Sequence, residues 1–299
     1  MVQMSSDKGE MTIKTEKEKN GNLSPVVKWA GGKRQLLGDI LPLIPEDVTV
    51  YTEPFVGGGA VLFALQPKKA VINDFNKELV NMYRVIKNKP HELISALEEH
   101  ERHHSKEYFY TVRAMDRSAD YDEMSDTAKA ARLIYLNKTC YNGLFRVNRK
   151  GQFNAPYGKY KNPNIVNRTV IEAMSEYFNE NEVEIRNGDY KEALKNLKKG
   201  AFVYFDPPYM PLSPSSSFTG YTENGFGKEQ QIELKEECDK LDKKGIRFLL
   251  SDSDHPFLRD LYKEYEITTV KAKRSVNSRG NGRGEINEIP VSYTHLTLP

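Results

Sequence analysis

Short apolar runs of β type alternate with segments of helical periodicity from Val26 onward, and no other feature of the sequence constrains the fold as much. This alternation is typical of a mostly parallel sheet with helices packed on its faces. Helices are predicted around residues 79–86, 170–177 and 230–244, where apolar residues recur at helical spacing. The predicted strands are Val48–Glu53, Ala70–Asn73, Val183–Arg186, Ala201–Phe205, Ile246–Leu250 and Glu266–Lys271. The sequence therefore predicts an α/β fold.

The alternation fails between residues 90 and 168, and we predict that this stretch is an insertion into the sheet domain. Residues 138–168 hold seven Lys or Arg and no Asp or Glu, and aromatic residues lie among these bases. Residues 91–130 hold ten acids against five bases, so the two halves of the insertion cancel within the net charge of +2. Bases interspersed with aromatic residues favour a nucleic-acid interface. The alternative is an ordinary solvated charged surface.

Composition argues against a membrane protein and against a metal or disulfide scaffold. No window of about 18 apolar residues is present that would span a bilayer. The two cysteines, Cys140 and Cys238, provide neither a disulfide framework nor the ligand spacing of a zinc site. We therefore expect a cytoplasmic protein with no membrane partner and no metal.

The first candidate site is Tyr51–Ala60, a predicted strand that runs into three glycines. Glycines at a strand-to-helix turn allow the backbone to approach a ligand closely. A dinucleotide fingerprint requires glycine where Leu62 stands, and a P-loop requires Gly-Lys-Ser/Thr where Ala60 and Val61 stand. We expect a nucleoside pocket that does not grip phosphate, with Asp74 accepting hydrogen bonds from ribose hydroxyls. An ordinary tight turn is the alternative.

The second candidate site is Asp206-Pro207-Pro208-Tyr209, which follows an apolar strand. The two prolines have no backbone N–H, so the turn presents carbonyl acceptors without donors. Together with the Asp206 carboxylate, these acceptors suit one group that bears two hydrogens, such as the exocyclic amine of a base. The Tyr209 ring offers a flat face on which a base can stack. The alternative is a strand that ends in a rigid surface turn.

With these two sites, the chain resembles the DNA adenine-N6 methyltransferases of the Dam type, and most closely the bacterial and phage enzymes that modify GATC. The resemblance extends from Val26 to about Glu288. The segments that carry it, in the family's order, are Val27–Lys33, Glu53–Gly59, Asn73-Asp74, Leu136–Asn148, Gly151–Tyr160, Asp206–Tyr209 and Leu249–Asp254.

The resemblance implies a Rossmann-like sheet of seven mostly parallel strands, and S-adenosylmethionine as the cofactor. The residues that it implies for cofactor binding are Trp29, Lys33, Phe55, Gly57, Gly59, Asp74, Asp189, Tyr190 and Asp206. The residues that it implies for contact with double-stranded DNA are Lys28, Tyr141, Asn142, Leu144, Arg146, Pro156, Lys159 and Tyr160. Lys159 stands where some relatives carry Arg.

The implied catalytic domain comprises residues 25–89 and 169–289, and residues 90–168 form a target-recognition insertion. Residues 1–24 lack the apolar centre of a signal peptide and are expected to be a disordered leader. After Ile289 the sequence departs from the apolar strand with which the family usually ends. We interpret residues 290–299 as a foreign tail, which puts the final strand in doubt.

The expected reaction is methyl transfer from S-adenosylmethionine to N6 of adenine within GATC. Because the N6 lone pair is delocalised into the ring, two acceptors from Asp206 and Pro207 are needed to draw the amine toward tetrahedral geometry before direct, in-line attack. The base must first flip out of the duplex, where Tyr209 stacks on it. The alternatives are methylation of cytosine N4 or of an RNA amine, and a non-catalytic DNA-binding protein. We expect a nucleoid-associated monomer, and a cognate restriction endonuclease is a candidate partner.

Overall fold

The computed structural model describes residues 13–14, 19–210, 226–273 and 285–295, and eight strands within these ranges form one sheet. The strands are β1 (Val50–Glu53), β2 (Lys69–Asp74), β3 (Glu182–Asn187), β4 (Ala201–Phe205), β5 (Arg247–Ser253), β6 (Tyr265–Ile267), β7 (Val270–Lys273) and β8 (Glu285–His295). Their spatial order is β3-β2-β1-β4-β5-β8-β6, and β7 also pairs with β8.

The five strands from β3 across to β5 are parallel, and β8 is antiparallel to β5, β6 and β7. Since β6 and β7 both pair with β8, they share the outermost position and the sheet is seven strands wide. Strand β4 is buried along its whole length, as expected where helices cover both faces of a parallel sheet. The mostly parallel sheet predicted from the sequence is confirmed.

Ten α-helices lie among the described residues. They are α1 (Leu37–Ile40), α2 (Ala60–Leu65), α3 (Lys77–Asn88), α4 (Pro90–Arg102), α5 (Lys106–Ala114), α6 (Asp126–Thr139), α7 (Arg168–Glu180), α8 (Lys191–Leu194), α9 (Lys228–Lys243) and α10 (Pro256–Leu261). The first core joins α2, α3, α4, α6 and α7 to the sheet, and the second core lies under α9 and α10. Within β4, Phe202 and Tyr204 belong to the first core, whereas Val203 and Phe205 belong to the second.

The predicted insertion contains α4, α5 and α6, while residues 140–167 form no α-helix and no strand. Helix α6 packs against α3 and α4, so the insertion shares the first core with the sheet domain. Arg132 of α6 is 1% exposed and pairs with Asp116 at 2.8 Å. After α6, isolated bridges between Cys140 and Tyr157 and between Val147 and Phe153 fold the basic segment back on itself.

The folded part of the chain starts before residue 25, where the sequence predicted the start of the catalytic domain. Residues 1–12 and 15–18 of the predicted leader lie outside the described residues. Asn20 and Gln66 exchange hydrogen bonds of 2.9 and 3.0 Å, and Leu23 is buried in the first core. The ordered fold therefore begins before Pro25.

The end of the sheet also differs from the sequence-based interpretation. Residues 290–295 continue β8, where Val291 pairs with Leu250 of β5, so the final strand that the sequence put in doubt is present. Residues 296–299 lie outside the described residues. The predicted strand Glu266–Lys271 is two short strands, β6 and β7, that meet β8 in succession. Within the described ranges, no helix is long and apolar enough to cross a membrane.

Candidate active site and nucleic-acid interface

Three acidic residues lie where neighbouring strands end. Glu53 ends β1, Asp74 ends β2, and Asp206 directly follows β4. Because these strands are parallel and adjacent, the three residues lie along one edge of the sheet. The strand order reverses between β1 and β4, which is where open α/β sheets bind ligands. The two sites predicted from the sequence therefore meet at this position, which we term the central crevice.

The glycine turn after β1 is packed tightly against an aromatic side chain. Gly57 and Gly59 adopt φ values of +49° and +74°, a left-handed conformation that favours glycine. A Cβ on Gly57 would lie 3.0 Å from Cδ1 of Trp29, and a Cβ on Gly59 would lie 2.7 Å from Cε2 of Phe63. The glycines thus let the turn contact Trp29 directly before α2 begins at Ala60.

Asp74 ties this turn to the end of β2. Its Oδ2 accepts the Gly57 N–H at 3.0 Å, and its Oδ1 accepts the Asn76 N–H at 2.9 Å. Burial raises the pKa of Asp74 to about 6, although these N–H donors act in the opposite direction. A carboxylate oxygen has more than one acceptor position, so Asp74 retains capacity for hydroxyl donors of a ligand.

Lys33 and Asp206 form an ion pair in the central crevice, with an Nζ–Oδ1 distance of 2.6 Å. Lys33 is 3% exposed. Its ammonium group also donates to the carbonyl oxygen of Gly31 at 2.7 Å and lies 4.6 Å from the centre of the Tyr209 ring. Burial raises the pKa of Asp206 to about 6, and the Lys33 charge opposes that shift. Asp206 is therefore ionised at neutral pH but gains a proton more readily than an exposed aspartate.

The far end of the Asp-Pro-Pro-Tyr turn is anchored by two acidic residues. The Tyr209 hydroxyl donates to Oε2 of Glu288 on β8 at 2.5 Å. The next backbone N–H, that of Met210, donates to Oδ1 of the buried Asp252 at 3.1 Å. These contacts fix the position of Tyr209 relative to Asp206.

An aromatic cluster lies beside the glycine turn. Phe55 stacks on Tyr190 with ring centres 5.2 Å apart, and Phe226 meets Phe55 edge-on at 5.8 Å. Asp189 is exposed next to them in the sequence. The buried Tyr190 hydroxyl and the buried Oδ1 of Asn73 have no hydrogen-bond partner among the described residues. Unpaired buried polar atoms of this kind are expected where a ligand supplies the missing partner.

These groups fit a cofactor that carries a ribose, an adenine ring and a positive charge. Asp74 provides acceptors for hydroxyls, the Phe55 and Tyr190 rings provide apolar surface, and Asp206 provides negative charge. Throughout the described ranges, no cluster of three or more His, Cys, Asp or Glu is arranged to hold a metal ion.

A second set of predicted residues converges on Asn137 of α6. The Asn137 amide donates to the carbonyl oxygens of Lys28 at 2.8 Å and Gly143 at 3.0 Å, and its Oδ1 accepts the Lys28 N–H at 2.9 Å. A Cβ on Gly143 would lie 2.7 Å from Cδ of Lys28. Lys28 is thereby held against the segment that contains Tyr141, Asn142 and the half-buried Leu144.

The segment around Pro156 packs against Tyr141 and Asn142. We term the surface formed by these segments and by Lys28 the basic surface. The Tyr141 N–H donates to the carbonyl oxygen of Pro156 at 2.8 Å, and the Asn142 N–H donates to the Tyr160 hydroxyl at 3.0 Å. Tyr141 is 50% exposed and Tyr160 is 37% exposed, and Pro156 and Lys159 are exposed as well. The predicted DNA-contacting residues thus lie on neighbouring segments of one surface.

One short segment, Val27–Lys33, joins the basic surface to the central crevice. Lys28 belongs to the surface, the Trp29 ring stacks on Phe145 at 4.9 Å, and Lys33 pairs with Asp206. The two groups of residues predicted from separate motifs are therefore adjacent.

Three charged residues of these sites were not assigned a role from the sequence. Burial raises the pKa of Glu53 to about 8, and the Tyr51 hydroxyl donates to its Oε2 at 2.9 Å. Glu53 directly precedes the Pro-Phe-Val-Gly-Gly-Gly run, so its position in that motif was an available signal. Glu288 had no such signal because it lies in the strand that the sequence left in doubt.

Lys138 is the third unassigned residue. Burial lowers the pKa of Lys138 to about 8, and the charges of Lys28 and Arg34 act in the same direction. Among the described residues, no carboxylate forms an ion pair with Lys28, Arg34 or Lys138. An uncompensated group of cations favours a polyanionic ligand.

Comparison with known proteins identifies the family to which the chain belongs. Residues 29–276 match the family described as D12 class N6 adenine-specific DNA methyltransferase. The chain is 49% identical over 271 residues to the Type II methyltransferase M1.LlaDCHI of Lactococcus lactis subsp. cremoris, covering 91% of this chain and 95% of that protein. It is 41% identical over 281 residues to the Type II methyltransferase M.MjaIII of Methanocaldococcus jannaschii, with coverage of 87% and 95%. The DNA adenine methylase of Escherichia coli K12 is 32% identical over 275 residues, with coverage of 89% and 94%.

Proposed function

The chain belongs to the D12 class N6 adenine-specific DNA methyltransferase family, and from that premise we propose how its central crevice methylates adenine. As an enzyme of this family it transfers a methyl group to N6 of adenine in DNA. Methyltransferases of this family use S-adenosylmethionine, which would supply the methyl group from its sulfonium. The new N–C bond would form as the S–C bond breaks, S-adenosylhomocysteine would leave as the thioether, and the amine would release one proton to solvent. The observation that carries the proposal is the Asp206–Lys33 pair at the end of β4.

Asp206 and Pro207 accept the two hydrogens of the adenine amine. Lys33 occupies Oδ1 of Asp206, whereas no described residue donates a hydrogen bond to Oδ2 or to the Pro207 carbonyl oxygen. These two free acceptors suit an amine with two hydrogens. Accepting both hydrogens draws the amine toward tetrahedral geometry and localises its lone pair on N6, which makes N6 a better nucleophile. Pro208 keeps a competing N–H donor out of the turn.

Lys33 keeps the acceptor ionised and in place. Its ammonium group contacts Asp206, the Gly31 carbonyl oxygen and the Tyr209 ring, so it fixes the carboxylate relative to the ring on which the base would stack. Because burial alone raises the pKa of Asp206, the Lys33 charge is what maintains the carboxylate form near neutral pH.

The cofactor residues proposed here are those predicted from the sequence. Asp74 accepts the ribose hydroxyls, Trp29 and the glycine turn bound the pocket, and Phe55 and Tyr190 provide its apolar wall. The polar atoms without partners on Asn73 and Tyr190 support this placement.

The substrate that we propose is adenine in double-stranded GATC, flipped out of the helix and stacked on Tyr209. The GATC specificity rests on the resemblance of the motifs to GATC-modifying enzymes. Flipping follows from the position of the acceptors, because Asp206 lies in a partly enclosed crevice that an adenine stacked and paired in a duplex cannot enter. The cations Lys28, Arg34 and Lys138, together with the exposed Lys159, suit the phosphate backbone.

The biological setting is also a proposal. Two relatives are named Type II methyltransferases, which supports a cognate restriction endonuclease as a partner. We propose that the enzyme acts as a monomer on one duplex, in the cytoplasm where its DNA substrate lies.

A protection assay tests this function. Plasmid incubated with the protein and S-adenosylmethionine is challenged with an endonuclease that cuts GATC only when its adenine is unmethylated. We expect protection by the wild type, and none by Asp206→Ala although that variant folds and still retards duplex DNA. Complete cleavage after incubation with the wild type, or protection by folded Asp206→Ala, would overturn the proposal.

A further inference from the structure

Among the described residues, Asn154 alone holds the guanidinium group of Arg146. Arg146 Nε donates to Oδ1 of Asn154 at 2.6 Å, and Arg146 Nη2 donates to the Asn154 carbonyl oxygen at 2.9 Å. The Asn154 N–H in turn donates to the Arg146 carbonyl oxygen at 2.8 Å. Two hydrogen bonds to one edge of a planar group fix both its position and its plane.

This arrangement leaves a defined set of donors available. A guanidinium has five N–H bonds in a fixed geometry, and Asn154 takes the parallel pair on Nε and Nη2. The other parallel pair, on Nη1 and Nη2, has no acceptor among the described residues, and no described carboxylate neutralises Arg146. A free parallel pair matches O6 and N7 of guanine in the major groove.

Asn154 is itself fixed by charged residues of the insertion. The N–H of Phe153, the preceding residue, donates to Oδ2 of Asp116 at 2.7 Å, and its carbonyl oxygen accepts from Arg117 at 2.8 Å. Asp116 is paired with the fully buried Arg132 at 2.8 Å. The backbone on one side of Asn154 is therefore tied to the interior of the protein, and the orientation of Arg146 is set from that interior.

We propose that Asn154 is a positioning residue for sequence specificity: it holds Arg146 so that the free donor pair reads one guanine of the target. The proposal rests on the proposed function, because it requires that Arg146 contacts a base in the DNA substrate. The proposal adds that Asn154 affects discrimination by orienting Arg146. Asn154 does not read a base itself.

Three variants separate this role from others. Asn154→Ala removes the Oδ1 acceptor, Asn154→Asp keeps both acceptors and adds a negative charge, and Arg146→Ala removes the reader itself. Asn148→Ala is the matched control, because Asn148 lies in the same folded segment and, within the part of the chain that the structure describes, its Oδ1 accepts only the N–H groups of Lys150 and Gln152. The readout is kcat/KM for duplexes with GATC and with each substitution of the guanine, and folding is followed by thermal unfolding.

We expect Arg146→Ala to reduce discrimination at the guanine by about five- to 150-fold, the range for one bidentate base contact, and Asn154→Ala to reduce it by about tenfold at the same base pair. The double variant should lose no more than Arg146→Ala alone, because residues that act through one contact are not additive. Asn154→Asp should retain discrimination while binding every duplex more weakly. Asn148→Ala should retain the wild-type preference.

The results that would overturn the inference can be distinguished from one another. If Arg146→Ala relaxes discrimination but folded Asn154→Ala does not, or if their effects add, Asn154 does not act through Arg146 although the proposed function stands. If Arg146→Ala leaves discrimination unchanged while the wild type still methylates GATC, Arg146 reads no base and the inference fails with that contact. Should Asn154→Ala not fold, loss of discrimination by Asn154→Asp would overturn the inference, because both acceptors remain in that variant.

Discussion

Replacing Tyr209 by Phe and by Ala separates the two contacts that this side chain makes. Its hydroxyl donates to the buried Glu288 at 2.5 Å, whereas its ring lies 4.6 Å from the Lys33 ammonium group and is proposed to stack on the flipped adenine. The hydrogen bond of the hydroxyl stabilises the folded protein, whereas the proposed stacking of the ring on adenine serves the reaction. Stability and turnover should therefore respond differently to the two substitutions.

The magnitudes follow from what each substitution leaves behind. Tyr209→Phe leaves Glu288, which is 9% exposed, without its donor, and a buried acceptor that loses its partner costs about 1–3 kcal/mol of stability. The ring remains, so turnover should stay close to wild type. Tyr209→Ala also removes the stacking surface, which is worth about 1–3 kcal/mol, or about five- to 150-fold in kcat/KM.

Single-turnover methyl transfer to a GATC duplex, measured beside urea unfolding, tests this reasoning. Tyr177→Phe serves as the control, because its buried hydroxyl donates to the Pro67 carbonyl oxygen at 2.8 Å in the first core. It should lower stability without changing the single-turnover rate. An equal loss of turnover in the Phe and Ala variants at position 209 would refute the stacking role and assign the catalytic contribution to the hydroxyl.

Further predictions follow from the charged groups and the glycine turn. Because Asp206 must be ionised and its pKa is about 6, kcat/KM should fall about tenfold per pH unit below that value. Lys33→Met removes the charge that lowers this pKa, so the acidic limb of the pH–rate profile should move to higher pH. An acidic limb that does not move would contradict the assignment of this limb to Asp206. Gly57→Ala should cost about 1–2 kcal/mol through its left-handed conformation and shift the fluorescence of Trp29, the only tryptophan; an unchanged spectrum would show that the contact is absent. The folded-state pKa of Glu53 is about 8 against an ordinary value of 4.5, so folding favours its protonated form and the free energy of unfolding should decline as pH rises between these values. Glu53→Gln should flatten that decline in urea titrations.

The sequence predicts the centre of the sheet well because its signals there are local. Strand β4 is observed over Ala201–Phe205 as predicted, since a five-residue apolar run is followed by Asp206 and then by two prolines that cannot continue the strand. Asp74 was predicted as an acceptor for ribose hydroxyls because it lies at the end of the second strand, and Asp206 was predicted as a site residue because the two prolines after it leave a turn with acceptors and no donors. Because the strands are parallel, their carboxyl ends lie at the same edge of the sheet, and the residues at those ends are brought together.

The outer strands and the supporting contacts depend on pairings that are distant in the sequence. Strand β8 lies between β5 and β6, and this antiparallel arrangement, which brings Glu288 to Tyr209, is not encoded in local periodicity. Asn137 resembles an ordinary polar residue of an apolar helix until Lys28 and Gly143 are placed beside it. Residues that support a site through partners distant in the sequence can be identified only from the folded structure.

The identity of the methylated nucleoside tests the central claim most directly. The protein is incubated with S-adenosylmethionine that carries a deuterated methyl group, and with one duplex that contains GATC or a duplex of equal composition that lacks it. The DNA is then digested to nucleosides for mass spectrometry. We predict labelled N6-methyladenosine in its deoxy form from the GATC duplex alone. Labelled N4-methylcytosine, or an equal yield of labelled adenine from both duplexes, would contradict the account.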